Sequence, residues 1–329
     1  MIGPRPLDER IASAEGQAFV KLDVGGVNGM GPWRATLNLG RFIVAVPRAT
    51  VIMRRFRPDV VMVGGGYVCA PVAVASWLLR VPLVTLCVDV APGWAVRLAS
   101  RLSTRVVTAF PETLTTLPVA KTHVTGYPVR AEFLEARRDA SRVRLGLPRD
   151  EKVLLVFGGS LGARAINRAL AAALPRLLPV AHVVHVMGGS DAADPGDDAS
   201  SLPEDLAPRY HRYRFLDAPD MAAALAAADL AVCRAGAATL AELPATGAPA
   251  ILIPGDFSAQ EDNASSMEAR GAAAVILDRD LTPARLADVA LDLLGDDTRL
   301  ARMSSASRAL AGGDAAGQIA ALVREVAHV

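Results

Sequence analysis

The sequence predicts an α/β protein of two doubly wound, parallel-sheet domains facing one another across a cleft. Short β-branched runs alternate with Ala-rich amphipathic stretches along nearly the whole chain, the pattern of parallel sheets covered by helices. These runs fall into two sets separated by a polar, Pro-containing stretch with no apolar period. With 329 residues and 52% hydrophobic content, the chain is long enough for two substantial cores.

In the first half the expected strands cover residues 60–63, 83–86, 106–108 and about 123–125. In the second half they cover 153–157, 182–187, 213–216, 230–233, 250–253 and 274–277. Between the sets lie Tyr127-Pro-Val-Arg130 and a charged stretch carrying Gly146 and Pro148. The expected boundaries are a first domain over 1–131, a linker over 132–152, a second domain over 153–312 and a terminal helix over 313–329. In that helix Ile319, Leu322, Val323 and Val326 recur at helical spacing after Gly312-Gly313, so it either crosses back to the first domain or stays on the second.

Composition excludes several classes. A net charge of +1 gives no global electrostatic case for nucleic acid, so no nucleic-acid partner is expected. Thirty-two Arg against three Lys reads as codon composition. Cys69, Cys87 and Cys233 lie far apart without CxxC spacing, which favours buried thiols in a reducing compartment over disulfides or a metal site. No signal peptide opens the chain, and no apolar run reaches the ~18–20 residues that span a bilayer.

The run from Val153 to Asn167, with Gly158-Gly-Ser-Leu-Gly-Ala-Arg164 at its centre, reads as strand, glycine turn and helix start. Helix-start N–H groups lack intrahelical partners and sit at the positive end of the dipole, which suits a phosphate; close packing of helix on sheet uses the same pattern. It is neither a Walker A loop nor a full dinucleotide fingerprint. A second strand–turn–helix runs from Asp229 to Leu243. Its Glu242 either accepts from the two hydroxyls of a ribose or balances a helix dipole on a solvated face. A third segment, Pro254 to Asn263, opens a helix with Gln260 and Asn263, whose amides suit sugar hydroxyls; Ser258 or Asp256 would alternatively serve as an N-cap.

Together these segments resemble the donor half of the glycosyltransferase-B proteins of the MurG type, in glycosyltransferase family 28. Those proteins transfer N-acetylglucosamine from a uridine diphosphate sugar to a lipid-linked muramyl-pentapeptide. The resemblance continues through Arg57 to Pro71, which looks like the family's second glycine loop, then Pro82 to Gly93, Ala109-Phe-Pro-Glu112 and Val124-Thr-Gly-Tyr-Pro-Val-Arg130. It implies a glycosyltransferase-B fold of two Rossmann-like domains. It implies a donor diphosphate held by Gly159, Ser160 and Gly162, a ribose on Glu242, and uracil against Leu216. It implies Ala237 near the sugar, Gln260 on its hydroxyls and Arg130 near the cleft, with Arg234, Gly236 and Asn263 as further donor-binding residues. Gly65, Gly66 and Tyr67 fall on the acceptor side.

The sequence departs from the family pattern at several points. The family opens on an apolar strand and a GxGGH-type loop, whereas Met1 aligns just after that unit, so a strand–helix–strand piece of roughly 30 residues is expected to be missing. None of the five histidines takes the place of the loop's histidine. The polar run before Pro-Gly is here Leu86-Cys-Val-Asp89, Leu161 stands for a common Gln, and Tyr127 for an Asn. Asp89 is then the one carboxylate in the first domain's cleft loops that is a candidate general base, with loop capping as its alternative duty. No DxD-type pair is present, so neither a metal nor a cofactor is expected beyond the nucleotide-sugar substrate.

Between Asp23 and Asp59 there is no acid, while Arg34, Arg41, Arg48, Arg54, Arg55 and Arg57 interleave with apolar residues. Such a basic amphipathic face docks on anionic headgroups or forms a core helix with a solvated side. The resemblance therefore implies an inverting transferase at the cytoplasmic face of the cell membrane, taking UDP-N-acetylglucosamine as donor and a polyprenyl-diphosphate-linked acceptor. Its rivals are a transferase for another lipid or secondary-metabolite acceptor, and a degenerate relative that binds nucleotide sugar without turnover.

Overall fold

The computed structural model describes residues 1–3, 6–22, 24, 32–159, 162–189, 202–255 and 259–328; for 6, 7, 10, 11 and 32–41 it describes the backbone alone. The chain divides into two compact units, Met1–Gly126 with Asp314–Val329, and Tyr127–Gly313.

The first unit opens with β1 (Ile2–Gly3), α1 (Pro6–Ala14) and β2 (Val20–Lys21), the two strands forming a parallel pair of their own. Next come α2 (Pro32–Phe56), β3 (Val61–Val63), α3 (Cys69–Leu79), β4 (Leu83–Cys87), α4 (Trp94–Leu102), β5 (Arg105–Thr108) and β6 (Thr122–Val124). β3 to β6 form one sheet in sequence order, all parallel. Ala45, Ala49 and Met53 recur every four residues and so share one face of α2, which packs with Val63, Val72, Ala73, Leu83 and Ala99.

The second unit contains α5 (Ala131–Glu135), α6 (Arg138–Arg144), β7 (Lys152–Phe157), α7 (Arg164–Leu177), β8 (Ala181–Val186), β9 (Tyr210–Tyr213), α8 (Ala218–Ala227), β10 (Leu230–Cys233), α9 (Thr239–Thr246), β11 (Ala250–Leu252), α10 (Gln260–Ala269), β12 (Ala273–Val275), α11 (Pro283–Leu294) and α12 (Asp297–Ala309). Its sheet runs β12-β11-β10-β7-β8-β9, every neighbour parallel, so the winding reverses between β7 and β10. β7 is buried on both faces. Leu154 and Val156 face Ile166, Leu170 and Leu174 of α7 and Leu286 and Ala290 of α11, as the two-residue period of a strand dictates. A crevice outside the carboxyl ends of the strands at such a reversal is where ligands enter doubly wound sheets.

Two expectations need correction. The strand expected at 213–216 is β9, three residues earlier, because Tyr210 packs on the core and meets His185; Leu216 lies beyond it, in the loop before α8. The stretch 132–152 is not an extended linker but carries α5 and α6 and belongs to the second unit. Its anchors are the fully buried ring of Phe133 and a buried charge rather than an apolar stripe. Arg142, 1% exposed, donates to the carbonyls of Ala227 and Pro148 and to Asp229 Oδ2 at 3.2, 2.8 and 2.8 Å. A periodicity search has nothing to detect there.

The chain then returns to the first unit as α13 (Ala315–Ala327), capped by Asp314, whose carboxylate accepts from Gly317 N at 2.8 Å. Ile319 and Val326 cover Val84, Leu86 and Val107, on the face of β4 opposite Leu83. Arg105 and Glu325 pair at 3.0 Å beside them. Of the two destinations open to the terminal helix, this is the crossing one.

Candidate functional site

β7 ends at the buried Phe157, and the backbone turns at once into α7. A Cβ on Gly158 would lie 2.2 Å from the nitrogen of Ala163, so only glycine lets the helix start this close to the strand. Gly159 and Gly162 hold positive φ of 87° and 81°, and Gly162 N donates to Gly159 O at 3.0 Å to close the turn. Ala163, the N-cap of α7, offers no side-chain acceptor to the helix-start N–H groups. Ser160 and Leu161 lie outside the described residues.

Strand register brings further turns beside this one. Phe157 pairs with Cys233, and Cys233 with Leu252, so the segments leaving β7, β10 and β11 emerge side by side at one sheet edge. From β10 come Arg234, Gly236 and Ala237. Among the described residues a Cβ on Gly236 would meet nothing nearer than Thr239 Oγ1 at 3.9 Å, which leaves open space over that backbone. Ala237 is half-buried. α9 then presents Glu242, whose side chain is 16% exposed, with Oε1 3.5 Å from Arg130 Nη2. Burial pushes the Glu242 carboxyl up, and the Arg130 guanidinium offsets part of that rise. Glu242 is therefore a sheltered carboxylate facing a cation, not an acid on a solvated helix face. Arg130 also lies over the Phe133 ring, 5.3 Å from its centroid.

Three candidates hold the protein itself. Asn263 is fully buried and donates from Nδ2 to Ala235 O at 3.1 Å, so it fastens α10 to the turn after β10 rather than offering its amide to a sugar. Arg234 donates to Ile253 O at 3.1 Å and pairs with Asp278, tying together the segments after β10, β11 and β12. Gln260 accepts from Gly255 N at 3.0 Å through Oε1 and so braces the same loop, with its side chain still half-buried. α10 has no side-chain N-cap at Ala259; Asp256 and Ser258, the alternative caps, lie outside the described residues. Leu216, 8% exposed, sits at the same sheet edge, just before the Asp217 cap of α8. Sequence reasoning misses Asp278, which the charge complementarity of Arg234 alone does not locate.

In the first unit, Val63 pairs with Thr85, so the loops after β3 and β4 also share an edge. Gly65 and Gly66 adopt positive φ of 98° and 71° and present a 37% exposed Tyr67. Asp89 lies after β4, half-buried, its carbonyl accepting from Cys87 Sγ at 3.4 Å. The next helix starts at Trp94, whose buried indole N–H has no hydrogen-bond partner among the described residues, a polar atom that the sequence does not single out.

All three thiols are buried, and burial pushes Cys69 up to about 12 and Cys87 to about 11. Among the described residues no group of three or more His, Cys, Asp or Glu is placed to hold a metal. His185 is locked between Asn167 Oδ1 at 3.1 Å and Tyr210 OH at 2.8 Å, and burial lowers it to about 4.

Residues 1–108 match the model of the glycosyltransferase family 28 N-terminal domain, and residues 153–319 that of the glycosyltransferase family 28 C-terminal domain. A protein of Roseiflexus sp. (strain RS-1) named UDP-N-acetylglucosamine--N-acetylmuramyl-(pentapeptide) pyrophosphoryl-undecaprenol N-acetylglucosamine transferase is 39% identical over 349 residues, covering 95% of this chain and 80% of its own. The protein of the same name from Desulforudis audaxviator (strain MP104C) is 37% identical over 329 residues, covering 93% and 84%. Among solved structures, MurG of Acinetobacter baumannii superposes with a TM-score of 0.74 at 26% identity, covering 98% of this chain and 90% of that one. With both domain models matched and such identity over nearly its whole length, this chain belongs to glycosyltransferase family 28 and has the glycosyltransferase-B fold.

Proposed function

We propose that the chain transfers N-acetylglucosamine from UDP-N-acetylglucosamine to undecaprenyl-diphospho-N-acetylmuramyl-pentapeptide, with inversion at the anomeric carbon, in peptidoglycan synthesis. The observation that carries this reading is identity of 36–42% to transferases of that name. The geometry within the Tyr127–Gly313 unit supports the donor's part of this reading. The start of α7 after the glycine turn receives the diphosphate, where its amides meet the charge that grows as uridine diphosphate leaves. Glu242 accepts from the ribose hydroxyls, Leu216 lies against the base, and Gln260 lies near the sugar. The acceptor hydroxyl oxygen bonds to the anomeric carbon as the bond from that carbon to the diphosphate oxygen breaks, and the hydroxyl proton passes to Asp89. No metal is required when helix-start amides carry the phosphate charge.

Membrane docking is part of the proposal. No helix among the described residues is long and apolar enough to cross a membrane. Ile43, Val44, Val51 and Phe56 of α2 are 63%, 52%, 47% and 74% exposed, and Arg48, Arg54, Arg55 and Arg57 are exposed beside them, a mixture suited to an anionic leaflet.

The test is transfer of labelled sugar by the full chain to a lipid-linked muramyl-pentapeptide analogue, with and without a chelator. A β-linked disaccharide product, insensitive to the chelator and lost in Asp89→Asn, is expected. Uridine diphosphate binding without product would favour the non-catalytic reading, and full activity in Asp89→Asn would remove it as base.

A further inference from the structure

A cavity in the Tyr127–Gly313 unit lies at the amino-terminal end of its sheet, where Ala245, Thr246 and Gly247 at the far end of α9 from the glycine turn help to line it. Its volume is about 440 Å³, and it is lined by residues that open β7 or immediately precede β10 and β11. Because these strands are parallel, it is separated from their carboxyl ends by the length of a six-residue strand, roughly 20 Å.

Four cations and two acids converge there: Arg137, Arg138, Lys152 and Arg308 with Asp229 and Asp297. The acids are taken up by Arg138 and Lys152 and leave Arg137 and Arg308 as the surplus. Asp229 is already committed: its Oδ1 accepts from Arg138 at 2.6 Å, and its Oδ2 accepts from the buried Arg142 and from Val153 N, both at 2.8 Å. Asp297 pairs with Lys152 from an 84% exposed position. Among the described residues Arg137 donates to the carbonyls of Leu134 and Ala136 alone, which carry no formal charge. Arg308 has no acceptor among the described residues, yet its guanidinium is seated: a Cβ on Gly247 would lie 2.4 Å from Arg308 Nε, so the left-handed glycine at φ +70° lets the side chain lie against its backbone. The cavity therefore offers excess positive charge and, from the exposed Arg137 and Arg308 at its rim, unused N–H donors in planar forks, the complement of an acceptor-only, multiply charged ligand. Its size is that of a small-molecule pocket.

We propose that this cavity binds a soluble, multiply charged phosphate compound at a site separate from the donor-binding edge. The probe is inorganic pyrophosphate, titrated calorimetrically into the full chain at low salt, alone and with saturating uridine diphosphate. Binding that persists with uridine diphosphate present and weakens at least tenfold in Arg308→Gln and in Arg137→Gln, while Arg308→Lys restores part of it, is the expected result. The two arginines sit on different segments, so misfolding of one variant leaves the other to report, and Gly247→Ala, which displaces Arg308, should weaken binding in the same sense. Binding abolished by uridine diphosphate would assign pyrophosphate to the donor edge and overturn the proposal. So would absence of binding, affinity unchanged in both variants, or an arginine-dependent attachment to phosphatidylglycerol vesicles without pyrophosphate binding, which would make the ligand a lipid headgroup.

Discussion

Glu242 puts an acid where its charge is disfavoured, and the two consequences have opposite signs. A carboxyl raised above its unfolded value by burial contributes stability that is fully present below the ordinary carboxylate range and is lost as pH rises through the raised value. Glu242→Gln should therefore raise the melting temperature near neutral pH, with the gain vanishing toward about pH 4. The same substitution should weaken uridine diphosphate binding on the order of ten- to a hundredfold, the loss of a charged hydrogen bond worth about 1.5–3 kcal/mol. Paired melting curves and titrations check both; an unchanged affinity would return Glu242 to a structural duty, and an unchanged melting temperature near neutral pH would show no strain at the carboxyl. That the loop carrying Glu242 mattered was legible from its strand–glycine–helix pattern. Which way each polar group faces was not. Asn263 and Arg234 stand in the right loops by sequence, but one turns its amide to Ala235 O and the other its guanidinium to Asp278, partners distant in sequence that no spacing rule reports.

Two glycines of similar appearance separate packing from function at the scale of the element. At Gly158 an added methyl meets the backbone of Ala163, which cannot retreat without moving α7. Gly158→Ala is expected to destabilise the second unit by about 1–3 kcal/mol, read from denaturant midpoints. Gly236→Ala meets open space, so it should leave the midpoint unchanged and weaken nucleotide affinity by filling that space. Equal stability losses in both would show that the turn after β10 is as tightly packed as that after β7. Most strands were readable because parallel sheets buried on both faces produce short β-branched runs. β9 begins three residues before the run that the sequence marks because it is the outer strand, where Tyr210, His211 and Arg212 lack that bias. α5 and α6 escaped notice because five- and seven-residue helices are too short to show a period.

Across the whole molecule, the first unit is assembled from two separate pieces of sequence, and α13 closes the face of its sheet. Ile319→Ala removes buried contacts with Val84, Leu86 and Val107 and should cost about 2–5 kcal/mol in the unfolding of that unit. Calorimetry that resolves two transitions should show one moving and the other, from residues 127–313, staying in place; equal movement of both would mean that the units unfold together. The return of the chain was foreshadowed by Gly312-Gly313 and the apolar spacing behind it, while its docking face depended on which side of β4 lay uncovered, a tertiary fact. Discontinuity also has a temporal consequence. A ribosome delivers sequence in one direction, so every residue of the inserted unit is released before α13 exists. At about 5–20 residues per second this interval is on the order of ten seconds or more. During it Val84, Leu86 and Val107 have no cover, so the nascent chain finishes its second unit before its first and exposes an apolar sheet face to other chains and chaperones meanwhile.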